Sequence, residues 1–204
     1  MVSPSAALPE HGGLDPRVVR SRAAILRATA DLLIESGAAG VTIEGIAERS
    51  GVAKTTIYRH WKTRSQLVFA AFESLFKPVA PPEHSGPLRS QLETMLGQLA
   101  RGLNESRWAP AVTALIDSGD RDPELRQLIH DFLVVRMENA RGLLRAGIER
   151  GELRAGLDVD VAVGLLVGPV FYRRLVSREP LDDALVRLVV DQFLLGASVE
   201  RGSA

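Results

Sequence analysis

The chain has no cysteine, and that absence excludes disulfide staples, thiolate catalysis and zinc sites built on cysteine. Lysine is nearly missing as well. Only Lys54, Lys62 and Lys77 accompany 22 arginines, so the lysines fall in one short stretch. No hydrophobic run approaches the length that crosses a bilayer, and the N-terminus shows neither the charged nor the apolar region of a signal peptide. The reading is a cytoplasmic protein with no membrane partner. The sequence shows no metal-ligand cluster, nucleophile triad or glycine-rich phosphate loop, so no enzyme activity, metal or cofactor is expected.

What is present points elsewhere. At 204 residues and 46% hydrophobic content the chain is long enough for one large or two small domains with a proper core. Formal net charge is zero, but it is divided unevenly: residues 1–77 carry 10 basic against 7 acidic side chains, and residues 78–204 carry 15 against 18. A basic N-terminal part attracts phosphates through counterion release, while an acidic remainder limits indiscriminate binding.

The periodicity is helical throughout. Residues 1–14 have no apolar pattern and read as a mobile tail, or as an arm reaching a minor groove. Asp15 followed by Pro16 is a helix start, and Val19, Ala23, Leu26, Ala30 and Leu33 then recur at helical spacing up to Gly37. Arg17 and Arg20 near its beginning lie either on a solvated face or on a DNA backbone. Prolines and a glycine between Lys77 and Pro87 cannot continue a helix, which puts a domain border near residue 80. Five further helices are expected over residues 88–106, 110–118, 123–150, 159–178 and 181–199, the fourth capped by Asp158 and kinked at Pro169. The expected fold is all-α with about nine helices: a tail (1–14), an N-terminal helix-turn-helix domain (15–77) and a helical effector-binding and dimerisation domain (78–204).

The most informative segment runs from Thr42 to Leu67. Thr42 is a good N-cap, and Val41 with Ile46 forms a hydrophobic staple across it. Gly51 stands where that helix should end in a left-handed residue. Val52 and Ile57 can close a small core with Ile46, leaving Lys54, Thr55, Thr56, Tyr58, Arg59 and His60 as the polar residues of the next helix. Thr63 with Gln66 then makes a capping box, which starts a further helix at Arg64. Its N-terminus, flanked by Lys62 and Arg64, suits a phosphate. Trp61 reads as core for the third and fourth helices.

GVAKTTIYRHWKTRSQL resembles the signature of the TetR family of transcriptional regulators, over roughly residues 15–77. It departs from that pattern at Ala53, where Ser often caps the recognition helix, and at Thr55, where Gly is common. Losing the cap costs about 1 kcal/mol. The resemblance implies that the helix over 54–60 enters the major groove, with Lys54, Thr55 and Thr56 at base edges. It further implies that Thr42, Tyr58, His60 and Arg64 grip phosphates, and Lys62 is placed with them. Arg59 is a second base-reading candidate on its chemistry alone. The alternatives are a half-buried packing role for Tyr58, a neutral helix end for His60 and plain solvation for Lys62.

One such head contacts only a few base pairs, so a homodimer reading an inverted-repeat operator on double-stranded DNA is expected. Leu185, Leu188, Val189, Gln192 and Phe193 form one C-terminal stripe, and Leu165, Phe171 and Leu175 add another. These either build a four-helix bundle between two subunits or close the chain's own core. The resemblance also implies an effector pocket between residues 88 and 150. Leu103, Trp108, Leu115, His130, Phe132 and Met137 are its lining candidates, for a small apolar or amphipathic ligand.

Overall fold

The computed structural model describes residues 15–75, 86–105 and 108–198. The expected tail, the proline-rich border around residue 80 and the extreme C-terminus lie outside the described residues. Nine α-helices account for almost all of the described chain: α1 (Pro16–Gly40), α2 (Ile43–Ser50), α3 (Lys54–His60), α4 (Arg64–Ser74), α5 (Leu88–Glu105), α6 (Trp108–Gly119), α7 (Pro123–Glu149), α8 (Val159–Phe171) and α9 (Asp183–Ala197).

Local chemistry sets most of the helix starts. The side chains of Asp15, Thr42, Thr63, Asp122, Asp158 and Asp182 each accept a backbone N–H from the first turn that follows, at 2.8 to 3.2 Å. Ala53, before α3, has no such side chain and makes no cap. Gly37 and Gly51 both sit at φ +68°, a conformation that penalises any Cβ. At Gly37 the axis of α1 breaks, and Ala38 to Gly40 form a separate terminal turn.

Two expectations need correction. The stripe on α1 holds only in its second half: Leu26, Ala30 and Leu33 meet the core, joined there by Ile25, Ala28 and Thr29, while Val19 and Ala23 face solvent. Beyond Pro169, which offers no N–H to the preceding turn, α8 does not simply kink. It passes into a wider π-helical segment, Tyr172–Ser177, that ends at Arg178 in the left-handed region (φ +58°).

Buried side chains form two clusters. One joins α5, α7, α8 and α9 through Leu88, Leu92, Leu96, Leu144, Leu166, Val190 and their neighbours. The other gathers Ile25 and Leu33 of α1, Ile46, Ile57, Trp61, Leu67 and Phe72, and then takes Ala111, Leu115 and Leu125 from α6 and α7. The N-terminal head is therefore not closed by its own four helices. Residues from the C-terminal body complete its core, which anchors the head against α6 and α7.

Candidate nucleic-acid interface

Within that second cluster Ile46 and Ile57 are fully buried, Val52 is partly buried beside them, and Val41 is buried above Ile46. Apolar packing between α2 and α3 thus fixes which side of α3 faces out. Lys54, Thr55, Tyr58 and Arg59 lie on that outer side, with Tyr58 55% exposed. They follow each other at i, i+1, i+4 and i+5, which is one face of a helix. Thr56 and His60 flank it and are half-buried; Lys62 is exposed just past the helix end. Trp61 is buried, with the guanidinium of Arg22 5.4 Å from its ring centroid, so α1 locks the base of the recognition helix.

The polar contacts sort the other predicted residues. Thr42 accepts from Gly45 N–H at 3.0 Å and stays exposed at the start of α2. Arg64, which the sequence suggests for phosphate, turns inward instead: its Nε donates to Val41 O at 2.7 Å and its Nη2 to Ala38 O. Those carbonyls lie in the break between α1 and α2, and a guanidinium satisfies them with its planar fork. Gln66 reaches back as a capping box predicts, but to Lys62 N–H (3.3 Å), one residue before the cap.

Two acidic residues on the start of α7 carry no signal that sequence reasoning detected. Ser65 donates to Asp122 Oδ2 at 2.6 Å, and Glu124 Oε1 accepts from Thr63 Oγ1 at 2.9 Å and from Gln66 Nε2 at 3.2 Å. The first turn of α4, directly after the recognition helix, is therefore tied to the first turn of α7. A carboxylate already stands beside the α4 N-terminus, where a phosphate is expected from the sequence. The hydrogen bond from Ser65 holds the Asp122 carboxyl below the usual aspartate range, helped by its backbone bonds and the charge of Arg64 and opposed by burial. A depressed folded-state value means the contribution is present above the ordinary aspartate pKa and is lost as pH falls through the folded one. Asp122→Asn is expected to lower stability at pH 7 by about 1 kcal/mol. Thermal melts should show that difference shrinking as the pH is taken below about 4, close to the ordinary aspartate value.

The candidate effector residues do not converge. Leu103 is fully buried and Met137 partly buried in the α5–α9 cluster, whereas Leu115 and Phe132 belong to the cluster beneath the head. Phe132 stands edge-on to Phe69 and Phe72 with centroids 5.8 and 5.7 Å away, and Arg136 lies over its ring. His130 faces solvent, and the Trp108 side chain lies outside the described residues. Helical periodicity along α7 explains the separation, because residues two apart point to different sides. A cleft of ≈ 330 Å³ is lined by Ala39, Arg64, Ser118, Arg121, Asp122 and Pro123, none of them among the effector candidates.

The C-terminal stripes also divide. Leu185, Val189 and Phe193 are buried in the chain's own core, and Phe171 and Leu175 pack partly against it. Leu165, Leu188 and Gln192 point outward. The outward apolar face consists of Val161, Leu165, Tyr172 and Val176 on α8 and its extension, with Leu188 and Leu195 on α9. Gly164, Gly168 and Gly196 lie among them with open space above.

A helix-turn-helix head with a solvent-facing second helix, anchored on a helical body, defines a DNA-binding transcriptional regulator. The model for bacterial regulatory proteins of the tetR family matches residues 25–71, and that for the tetracyclin repressor-like C-terminal domain matches residues 82–193. The chain belongs to the TetR family, whose members are non-enzymatic regulators. It is 37% identical over 180 residues to the HTH-type transcriptional regulator YdeS of Bacillus subtilis, covering 87% of this chain and 90% of that one. The DNA-binding transcriptional repressor TetR of Mycobacteroides abscessus is 29% identical, with 85% and 91% covered. Among solved structures, the TetR family regulator SCO0332 superimposes with a TM-score of 0.63 at 32% identity, over 87% and 98% of the two chains. The fold also matches FadR from Bacillus subtilis, a structure in complex with stearoyl-CoA (TM-score 0.68, 21% identity, 85% and 98% covered). Among the described residues no helix is long and apolar enough to cross a membrane, and no group of side chains is arranged to hold a metal ion.

Proposed function

We propose that the protein is a homodimeric repressor that binds an inverted-repeat operator and is released by a small apolar or amphipathic effector. The observation that carries the operator reading is the outward face of α3. Lys54, Thr55, Tyr58 and Arg59 stand together on a short helix whose opposite side is fully buried. In the major groove Lys54 and Thr55 meet base edges, with Arg59 beside them, while Thr42, Tyr58, His60 and Lys62 take phosphates and set register. Thr56 sits at the margin of that face. Repression is favoured by the relative of that description in Mycobacteroides abscessus.

Two heads are needed for selectivity, and the apolar face on α8 and α9 is the surface that joins them. The latch between the α4 and α7 first turns supports the release mechanism. Asp122 and Glu124 belong to the body, Ser65, Thr63 and Gln66 to the head, so a ligand that shifts α7 moves the head directly. The stearoyl-CoA held by the FadR structure illustrates an amphipathic ligand on this fold. Linkage requires only differential affinity: a tenfold loss of operator occupancy takes about 1.4 kcal/mol of coupling.

Selection of bound fragments from random double-stranded DNA tests the reading. Two half-sites in inverted orientation, with centres about one helical turn apart, are expected; a single unrepeated motif would refute the dimeric operator.

A further inference from the structure

An exposed carboxylate stands beside the first residue of the recognition helix. Glu44, in the first turn of α2, is 69% exposed, and its Oε1 accepts from the ammonium of Lys54, the first residue of α3. Stability does not account for the pair, since an exposed lysine–glutamate contact contributes little. Beside phosphates the carboxylate is moreover repelled. Yet it joins the start of the recognition helix to the start of α2, next to Thr42.

A contiguous ammonium and carboxylate have the complement of one base-pair edge. In the major groove a G·C pair shows the guanine O6 and N7 acceptors beside the cytosine N4–H₂ donor, and one N4 hydrogen is left over from base pairing. A lysine donates to the first two and a glutamate accepts from the third. An A·T pair with its purine on the same strand sets the adenine N6–H₂ donor beside N7 where guanine has two acceptors, and thymine O4, an acceptor, where cytosine has its donor. The O4 lone pairs meet a carboxylate unfavourably, so the pair of side chains discriminates.

We propose that Glu44 is a specificity-determining residue which accepts from a cytosine N4–H₂ in each half-site while Lys54 donates to the paired guanine. The inference rests on the operator-binding reading above and adds a reader from α2 to those of α3. In the free protein the ion pair keeps the two side chains beside each other, which removes part of the ordering that binding requires.

The test is selection from random double-stranded DNA with the full-length protein and two variants, Glu44→Gln and Glu44→Ala, followed by titration of each on the wild-type site. Wild type is expected to require one G·C pair in each half-site. Glu44→Gln should exchange the cytosine for adenine, whose N6 and N7 a glutamine addresses together, and should bind the wild-type site at least tenfold more weakly. Glu44→Ala should lose the requirement for cytosine, accept any pair that offers Lys54 an acceptor at that position, and keep the rest of the motif. If both variants retain the wild-type motif and bind all sequences more tightly, Glu44 is only a repulsive charge and the base-reading role is overturned, with operator binding intact. If the wild type enriches no sequence, the operator reading fails and this inference with it.

Discussion

Leu188→Glu is expected to leave the protein, proposed to be a homodimer, a monomer with unchanged helical content, and Leu165→Glu to do the same. Both side chains are more than half exposed on the single chain, as are Val161, Tyr172, Val176 and Leu195 on the same two helices and the extension of α8. Exposed large apolar side chains gathered in this way are what the proposed association would cover. A two-fold axis places each introduced carboxylate near its own copy, so one substitution adds two buried charges to the interface. Operator affinity should fall by about a thousandfold, the advantage that linking two heads confers. Sedimentation and circular dichroism check the first claim, and DNA titration the second. Phe193→Glu provides the contrast. Phe193 is buried against α5 and α8, so a charge there is expected to unfold the chain, costing about 3–5 kcal/mol from lost burial alone. A folded dimer of the Leu188 variant would remove α9 from the interface.

The double variant Lys54→Ala, Tyr58→Ala is expected to abolish operator binding with secondary structure and dimer mass intact. Neither side chain helps to close the core: Ile57 does that from the opposite side of α3. Each change removes about 1–3 kcal/mol of DNA contact per head, and both heads carry it, so affinity should drop at least about a thousandfold. The two singles separate by their salt dependence. Lys54→Ala removes a cation and flattens the slope of affinity against salt, whereas Tyr58→Ala leaves the slope close to that of wild type. Retained affinity in the double variant would refute the outer face of α3 as the reading surface.

The stretch from Thr42 to Leu67 was legible because its signals are local. A cap, a staple, a glycine at positive φ and a second cap each act within four residues, and Thr42, Gly51 and Thr63 occupy those roles in the structure. The missing cap at Ala53 was equally readable and is seen. Arg64 was not. Its charge beside a helix N-terminus suggested a phosphate ligand, while its true partners are carbonyls 23 and 26 residues away. The same holds for Asp122: a helix start could be read before Pro123, but not that the capping carboxylate would also accept from Ser65.

Periodicity and capping depend on neighbours in the chain, so the helices, their order and the character of the reading head can be read from the residues. Which way each helix faces depends on packing between distant segments. An apolar stripe on α9 is equally consistent with the chain's own core and with a partner, and only the packing of α5, α7 and α8 buries Leu185, Val189 and Phe193 in that core and leaves Leu188 exposed. It likewise scattered the five described residues expected around an effector, since which side of α7 meets α4 is settled by the aromatic cluster of Phe69, Phe72 and Phe132. Burial is a property of the assembled surfaces, and no spacing along one helix states which surface will arrive.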